Sequence, residues 1–158
     1  MTTLESPAKL TMTLSVTGVR ADGYHLIDAE MVALDLHDTI DIAPSAENVI
    51  SVDGPFAHDV PTDHRNLVWK ALDLAGVTAR VHITKNIPHG GGLGGGSANA
   101  AAILRWAQFT DYEKAAAVGA DIPFCMVGGR ATVTGIGEII APLSFVARDV
   151  TLIVPPVN

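Results

Sequence analysis

The stretch VTARVHITKNIPHGGGLGGGSANAAAILRWAQF, residues 77–109, decides the fold of this chain. Its first part alternates: Val77, Ala79, Val81 and Ile83 fall on one side, Thr78, Arg80, His82 and Thr84 on the other. A period of two marks a strand with one buried face. Its last part, SANAAAILRWAQF, is rich in alanine and reads as a helix. Between them stand Gly90, Gly91, Gly92, Leu93, Gly94, Gly95 and Gly96, six glycines in seven positions. So many glycines cost backbone entropy on folding, and belong where the chain takes positive φ or must come close to something. A strand that runs through such a loop into a helix gathers free N–H groups at the positive end of a helix dipole, which suits a phosphate. Ser97, at the expected helix start, either caps it or faces a phosphate or metal. No Gly-Lys-Ser/Thr follows, so this is not the P-loop pattern. The absence of repeated parallel βαβ units argues against a dinucleotide fingerprint.

Outward from this stretch, residues 8–17 (AKLTMTLSVT) alternate again, with Leu10, Met12, Leu14 and Val16 apolar and Lys9, Thr11, Thr13, Ser15 and Thr17 polar. A half-buried strand is expected there, ended by a turn at Asp22-Gly23. Further strands are expected at 26–36, at TIDI (39–42), NVISV (48–52), RATVT (130–134) and DVTLIV (149–154). GPFAHDVPTDHRN (54–66) reads as a surface loop. Asp63 or Asn66 starts a helix that Gly76 can end. A second short helix fits DYEKAAAVG (111–119), and Asp121 is placed in a loop before Pro123, which reads as a helix stop. The whole reads as one α+β domain with more strands than helices.

Composition narrows the function. The chain has 158 residues, 10 Lys plus Arg and 17 Asp plus Glu, a net charge of −7. An acidic chain is a poor general binder of phosphate backbones, so nucleic acid is not an expected partner. A hydrophobic content of 48% excludes a disordered chain. One cysteine, Cys125, excludes an internal disulfide and fits a reducing compartment. No apolar run has the length of a signal peptide or a membrane span, so a cytoplasmic, membrane-free protein is expected. The histidines have no metal-ligand spacing, and no protein ligand for a metal is assigned. Cys125 reads as a small buried hydrophobe, not a nucleophile.

Three segments in order, PAKLTMTL (7–14), PHGGGLGGGSANAAA (88–102) and GADIPF (119–124), resemble the GHMP family of small-molecule kinases. Asn66-Leu67 and GIGE (135–138) also fit, and the likeness runs from residue 7 to about 155. The resemblance implies a two-layer α+β domain like the second domain of ribosomal protein S5. It implies that residues 1–158 form the N-terminal, ATP-binding domain, with the family's C-terminal domain absent from this chain. GVRADGYHLID (18–28) is similar to the family member that phosphorylates the 2-hydroxyl of a cytidine diphosphate-linked methylerythritol, in the non-mevalonate route to isoprenoid precursors. Another GHMP kinase, or a non-catalytic S5-like binding domain, are the alternatives.

By this resemblance Asp121 takes or orients the proton of the substrate hydroxyl, and Lys9 lies beside it as its counter-charge. Residue by residue, the likeness gives Gly90 to Gly96, with Leu93, and Ser97 to the ATP phosphates, and places Asn66 and Lys85 near the nucleotide. Taken alone, Lys85 reads equally as an ordinary strand-end charge. Tyr24 is expected to stack on the cytosine, and His25 to bond its polar edge. Thr11 stands where the family usually has Asn next to the reacting hydroxyl. ATP chemistry implies Mg²⁺, held mainly by phosphates and water. An apolar face around Leu152 to Val157 is expected to be exposed and to favour self-association.

Overall fold

A computed structural model describes residues 1–88 and 90–153. It contains β1 (Thr2–Val19), β2 (His25–Pro44), β3 (Val49–Asp53), α1 (Leu67–Ala75), β4 (Ala79–Thr84), α2 (Gly95–Trp106), α3 (Tyr112–Val118), α4 (Ile122–Val127), β5 (Arg130–Gly135) and β6 (Ile139–Leu143). The strands form one mixed sheet in the order β3-β4-β2-β5-β6, with β1 on the other edge of β2. Only β3 and β4 run parallel. The fold is a two-layer α+β domain, one sheet backed by helices.

β2 is the spine. The segments 26–36 and 39–42, expected as separate strands, are one continuous strand. One edge of β2 carries β1, and the other carries β5 along Ile27–Val32 and β4 along Thr39–Pro44. β1 pairs directly with the polar residues His37 and Asp38, through Pro7 and Ser6, so the strand does not break there. The core lies between this sheet and the helices. Ile40, Ile42, Val81, Ile83, Ala131 and Val133 share one buried cluster with α2, whose Ala98 to Leu104 are all buried. Each fully buried Ile, Leu or Val contributes about 1.5–3 kcal/mol. The alanines let α2 lie close to the sheet, and that helix sets the position of the glycine loop.

Four expectations need correction. DVTLIV forms no strand over 149–153, and Val154 to Val157 lie outside the described residues. The last strand is instead β6, which closes a hairpin with β5. Residues 122–127 are a helix, and Pro123 sits in its first turn, where a missing N–H costs nothing; it starts a helix where it was expected to stop one. α2 begins at Gly95 with Gly94 as its N-cap residue, so Ser97 is the third helical residue and does not cap. The outer half of β1 is not half-buried: Met12, Leu14 and Val16 are all exposed. Pairing irregularities between Pro7 and Lys9, Thr11 and Thr13, and Val16 and Gly18 interrupt its alternation. In the described part of the expected apolar face, Leu152 and Ile153 are exposed, and so is Phe145, which lies outside that expectation.

Candidate active site

Lys9 sits between two of those irregularities in β1, the kind of place where a bulge re-aims a side chain. Its backbone N–H donates to Leu93 O at 2.9 Å, which ties β1 to the glycine loop. The Lys9 residue is 7% exposed. Its ammonium donates to Thr11 Oγ1 at 3.1 Å and lies 3.0 Å from Asp121 Oδ2. Asp121 precedes α4, yet its carboxylate makes no capping bond. It is turned to Lys9 and stays partly open, 28% exposed. Thr11 thus keeps a polar oxygen on the lysine at the position where asparagine was expected.

The glycine loop closes over two lysines. A Cβ on Gly94 would sit 2.8 Å from Lys9 Cγ, and Gly94 has φ +68°. A Cβ on Gly95 would sit 3.1 Å from Lys85 Nζ and 3.2 Å from Ile87 Cγ2. Gly90 and Gly92 also have positive φ, but face open space. So the two halves of the loop need glycine for different reasons: backbone conformation at 90 and 92, room for a lysine at 94 and 95. Leu93, the one side chain among them, is buried with Ala8 and Ile87 and pegs the loop down. A cavity of about 210 Å³ opens against the loop, bounded by Leu67, Lys85, Pro88 and Ser97. It has room for phosphate groups. A larger cavity, about 420 Å³, lies elsewhere, between Met12, Glu30 and Arg130 and the segment 145–152, and holds none of the expected site residues.

Lys85 is not an ordinary strand-end charge. It is 3% exposed, ion-paired to Asp38, and donates to Asn99 Oδ1 at 3.0 Å. Asp38, Asn99 and Ser6 were not anticipated, though two signals were present. Asp38 shares a strand face with Ile40 and Ile42, and Asn99 interrupts an alanine run. Both are polar residues at core positions, which must find partners. Asn66 caps α1, its Oδ1 accepting from Val68 N at 2.9 Å, while its amide donates to Pro61 O at 2.7 Å. Leu67 beside it reaches the cavity.

Tyr24 and His25 stand at the β1–β2 hairpin end. Tyr24 is 47% exposed, with the Arg20 guanidinium 5.9 Å from its ring centroid. Arg20 is held charged chiefly by its bond and charge with Asp22, and more weakly by Glu138 and Glu113. The hairpin end lies beside the β5–β6 turn, because Ile27 of β2 pairs with Gly135 of β5, and Gly137 in that turn abuts the Ala120 carbonyl next to Asp121. Burial, followed by the Asp121 charge, pushes the Cys125 thiol up to about 12, which leaves it inert. Among the described residues no three carboxylate, imidazole or thiol groups converge as a metal cage, and no helix is long and apolar enough to cross a membrane. His89 lies outside the described residues.

Residues 66–129 match the family of GHMP kinases, N terminal domain. Over this segment the chain is similar to the GHMP kinase family, in the part that forms the N-terminal domain. Its curated relatives include the 4-diphosphocytidyl-2-C-methyl-D-erythritol kinase of Paracoccus denitrificans (strain Pd 1222), 45% identical over 151 residues that cover 96% of this chain and 55% of the relative. The same-named kinase of Jannaschia sp. (strain CCS1) is 44% identical over 85% of this chain and 51% of its own length. A crystal structure of 4-(cytidine 5'-diphospho)-2C-methyl-D-erythritol kinase superposes with a TM-score of 0.67 at 32% identity, over 90% of this chain and 55% of that one. The chain spans about half the length of the curated relatives it matches.

Proposed function

We propose that this chain is the ATP-binding part of a cytoplasmic kinase that phosphorylates the 2-hydroxyl of 4-diphosphocytidyl-2-C-methyl-D-erythritol. The observation that carries the reading is the Lys9–Asp121 pair, 3.0 Å apart, tied through the Lys9 backbone to a glycine loop at a helix N-terminus. Phosphoryl transfer asks for little more than positioning and charge stabilisation, and these are the parts that supply them. The α2 N-terminus and the loop N–H groups, with Ser97, hold the phosphates. ATP supplies the phosphoryl group. Asp121 accepts the hydrogen bond of the substrate hydroxyl, orients its oxygen toward the γ-phosphorus and receives the proton as the new P–O bond forms and the bond from the γ-phosphorus to the bridging oxygen breaks, releasing ADP. Lys9 balances the charge that develops beside it. Tyr24 and His25 take the cytosine, and Asn66 and Lys85 lie toward the nucleotide. Among the described residues no donors form a cage for Mg²⁺, so the ion fits here as a companion of the phosphates, and no step is assigned to it.

The family's C-terminal domain would complete the substrate cleft. Transfer of labelled γ-phosphate to the diphosphocytidyl substrate tests the reading, using this chain alone and joined to the C-terminal part of the Paracoccus relative. The joined protein is expected to phosphorylate this substrate and not mevalonate or homoserine. No transfer by either form would refute it. Exposed Phe145, Leu152 and Ile153 support self-association of the 158-residue chain, which sedimentation over a concentration series checks.

A further inference from the structure

Beneath the glycine loop lies a second lysine–aspartate pair that the steps above leave idle. Lys85 and Asp38 side chains are 4% and 0% exposed. Asp38 Oδ1 accepts from the backbone N–H of Asn86 at 2.7 Å and of Ile87 at 2.8 Å. Its Oδ2 takes the Lys85 ammonium and, at 2.9 Å, the Asn99 amide. The same amide reaches Ser6 Oγ at 2.9 Å, and Asn99 Oδ1 receives Lys85 at 3.0 Å. Four parts of the fold meet here: β1, β2, the segment entering the glycine loop, and α2.

Stability alone is a poor reason for this cluster. A buried ion pair gains little over well-packed apolar side chains of the same volume. Its place is more telling. Lys85 Nζ lies under Gly95, the first residue of α2, at the positive end of a helix, where a cation is disfavoured until an anion arrives. The Lys85 ammonium has three N–H donors and spends two within the cluster. Lys85 also borders the cavity against the loop.

We propose that Asp38 is a positioning residue for nucleotide binding. With Asn99 it fixes the Lys85 ammonium under the α2 N-terminus, one N–H left for a phosphate oxygen. Through the Asn86 and Ile87 N–H groups it also sets the path of the chain into the glycine loop. The proposal rests on the nucleotide site proposed above, and the test separates the two. ATP affinity of the 158-residue chain is measured by calorimetry, and melting temperature by a thermal scan, for the parent, Lys85→Met, Asp38→Asn and Asp38→Asn/Lys85→Met. Binding is read well below each melting temperature. Asp38→Asn is expected to weaken ATP binding at least tenfold. The double variant should recover melting temperature without recovering affinity, a split that a purely structural role does not produce. A folded Asp38→Asn chain with parental affinity beside a weakened Lys85→Met overturns the positioning role alone. Parental affinity in Lys85→Met, or no ATP binding by the parent, overturns the nucleotide reading and this proposal with it. If Asp38→Asn does not fold, Asn99→Ala removes one of the two anchors of Lys85 and keeps its ion pair. A loss of about threefold supports the proposal, and none overturns it.

Discussion

Two lysine–aspartate pairs flank one glycine loop, and they differ in one respect above all. Lys85–Asp38 is sealed, while Lys9–Asp121 leaves the carboxylate partly open to solvent. Each lysine passes under its own glycine, Gly95 for the first and Gly94 for the second. The sealed pair has nearly every polar atom satisfied by backbone or amide groups. The open pair has Thr11 as its one further side-chain partner among the described residues. The same two residue types thus support opposite uses. A sealed pair fixes its lysine under the loop, and a pair with an unspent carboxylate can meet a substrate.

The comparison breaks most visibly in stability. Asp38→Ala strands a fully buried ammonium and should cost about 3–5 kcal/mol, while Asp121→Ala should cost less, because Asp121 is itself 28% exposed and the Lys9 ammonium keeps its bond to Thr11. Urea titration of both variants measures the contrast; equal losses would erase the distinction. Next comes turnover. Asp121→Asn keeps the shape and removes the charge, and should slow phosphoryl transfer on the order of 10²-fold, about 2.7 kcal/mol of barrier, with ATP binding retained. A rate within threefold of the parent would remove Asp121 from the reaction.

A smaller effect sharpens the role of the loop. Gly94→Ala meets both a positive φ and the Lys9 side chain, so it should displace the ammonium and reduce turnover about tenfold beyond its strain of about 1 kcal/mol. Gly76→Ala, with φ +66° and open space around it, should show the strain alone, about 1 kcal/mol in a denaturant titration, and normal turnover. If the two behave alike, Gly94 is serving backbone conformation and not Lys9. The smallest effect concerns Cys125. Its thiol is raised from 9.0 to about 12, so its contribution to stability is complete below about pH 9 and is lost as pH rises toward 12. Iodoacetamide at pH 8 should label the urea-unfolded chain and spare the folded one, and Cys125→Ala should flatten the alkaline decline in melting temperature.

Much of this was legible in the chain itself. The alternation of 79–84, the glycines of 90–96 and the alanines after them mark β4, the loop and α2, because strand, turn and helix signals are local. The Asp22-Gly23 turn and the Asn66 cap were legible for the same reason. What failed was local evidence that the surroundings overrode. Leu14 and Val16 look like a buried face, but nothing in the described structure covers them. Pro123 looks like a stop, yet in a first helical turn it is a start. DVTLIV has strand composition but pairs with no neighbour over its described part, and β propensity is only a preference for a pleated, half-buried surface.

By itself the sequence determined β4, α2 and the glycine loop between them, and the residue types available for phosphoryl transfer. Tertiary structure decided which charges met. Lys9 and Asp121 are 112 positions apart (121 − 9), and Lys85 and Asp38 are 47 apart. Periodicity and turn chemistry act over a few residues and cannot pair groups at such distances. The strength and use of a charge pair depend on how much water reaches it, and burial is a property of the packed sheet and helices, not of any segment. That is why the residues around Lys85 leave it open between an ordinary strand-end charge and a nucleotide contact, while the fold seals it under the loop.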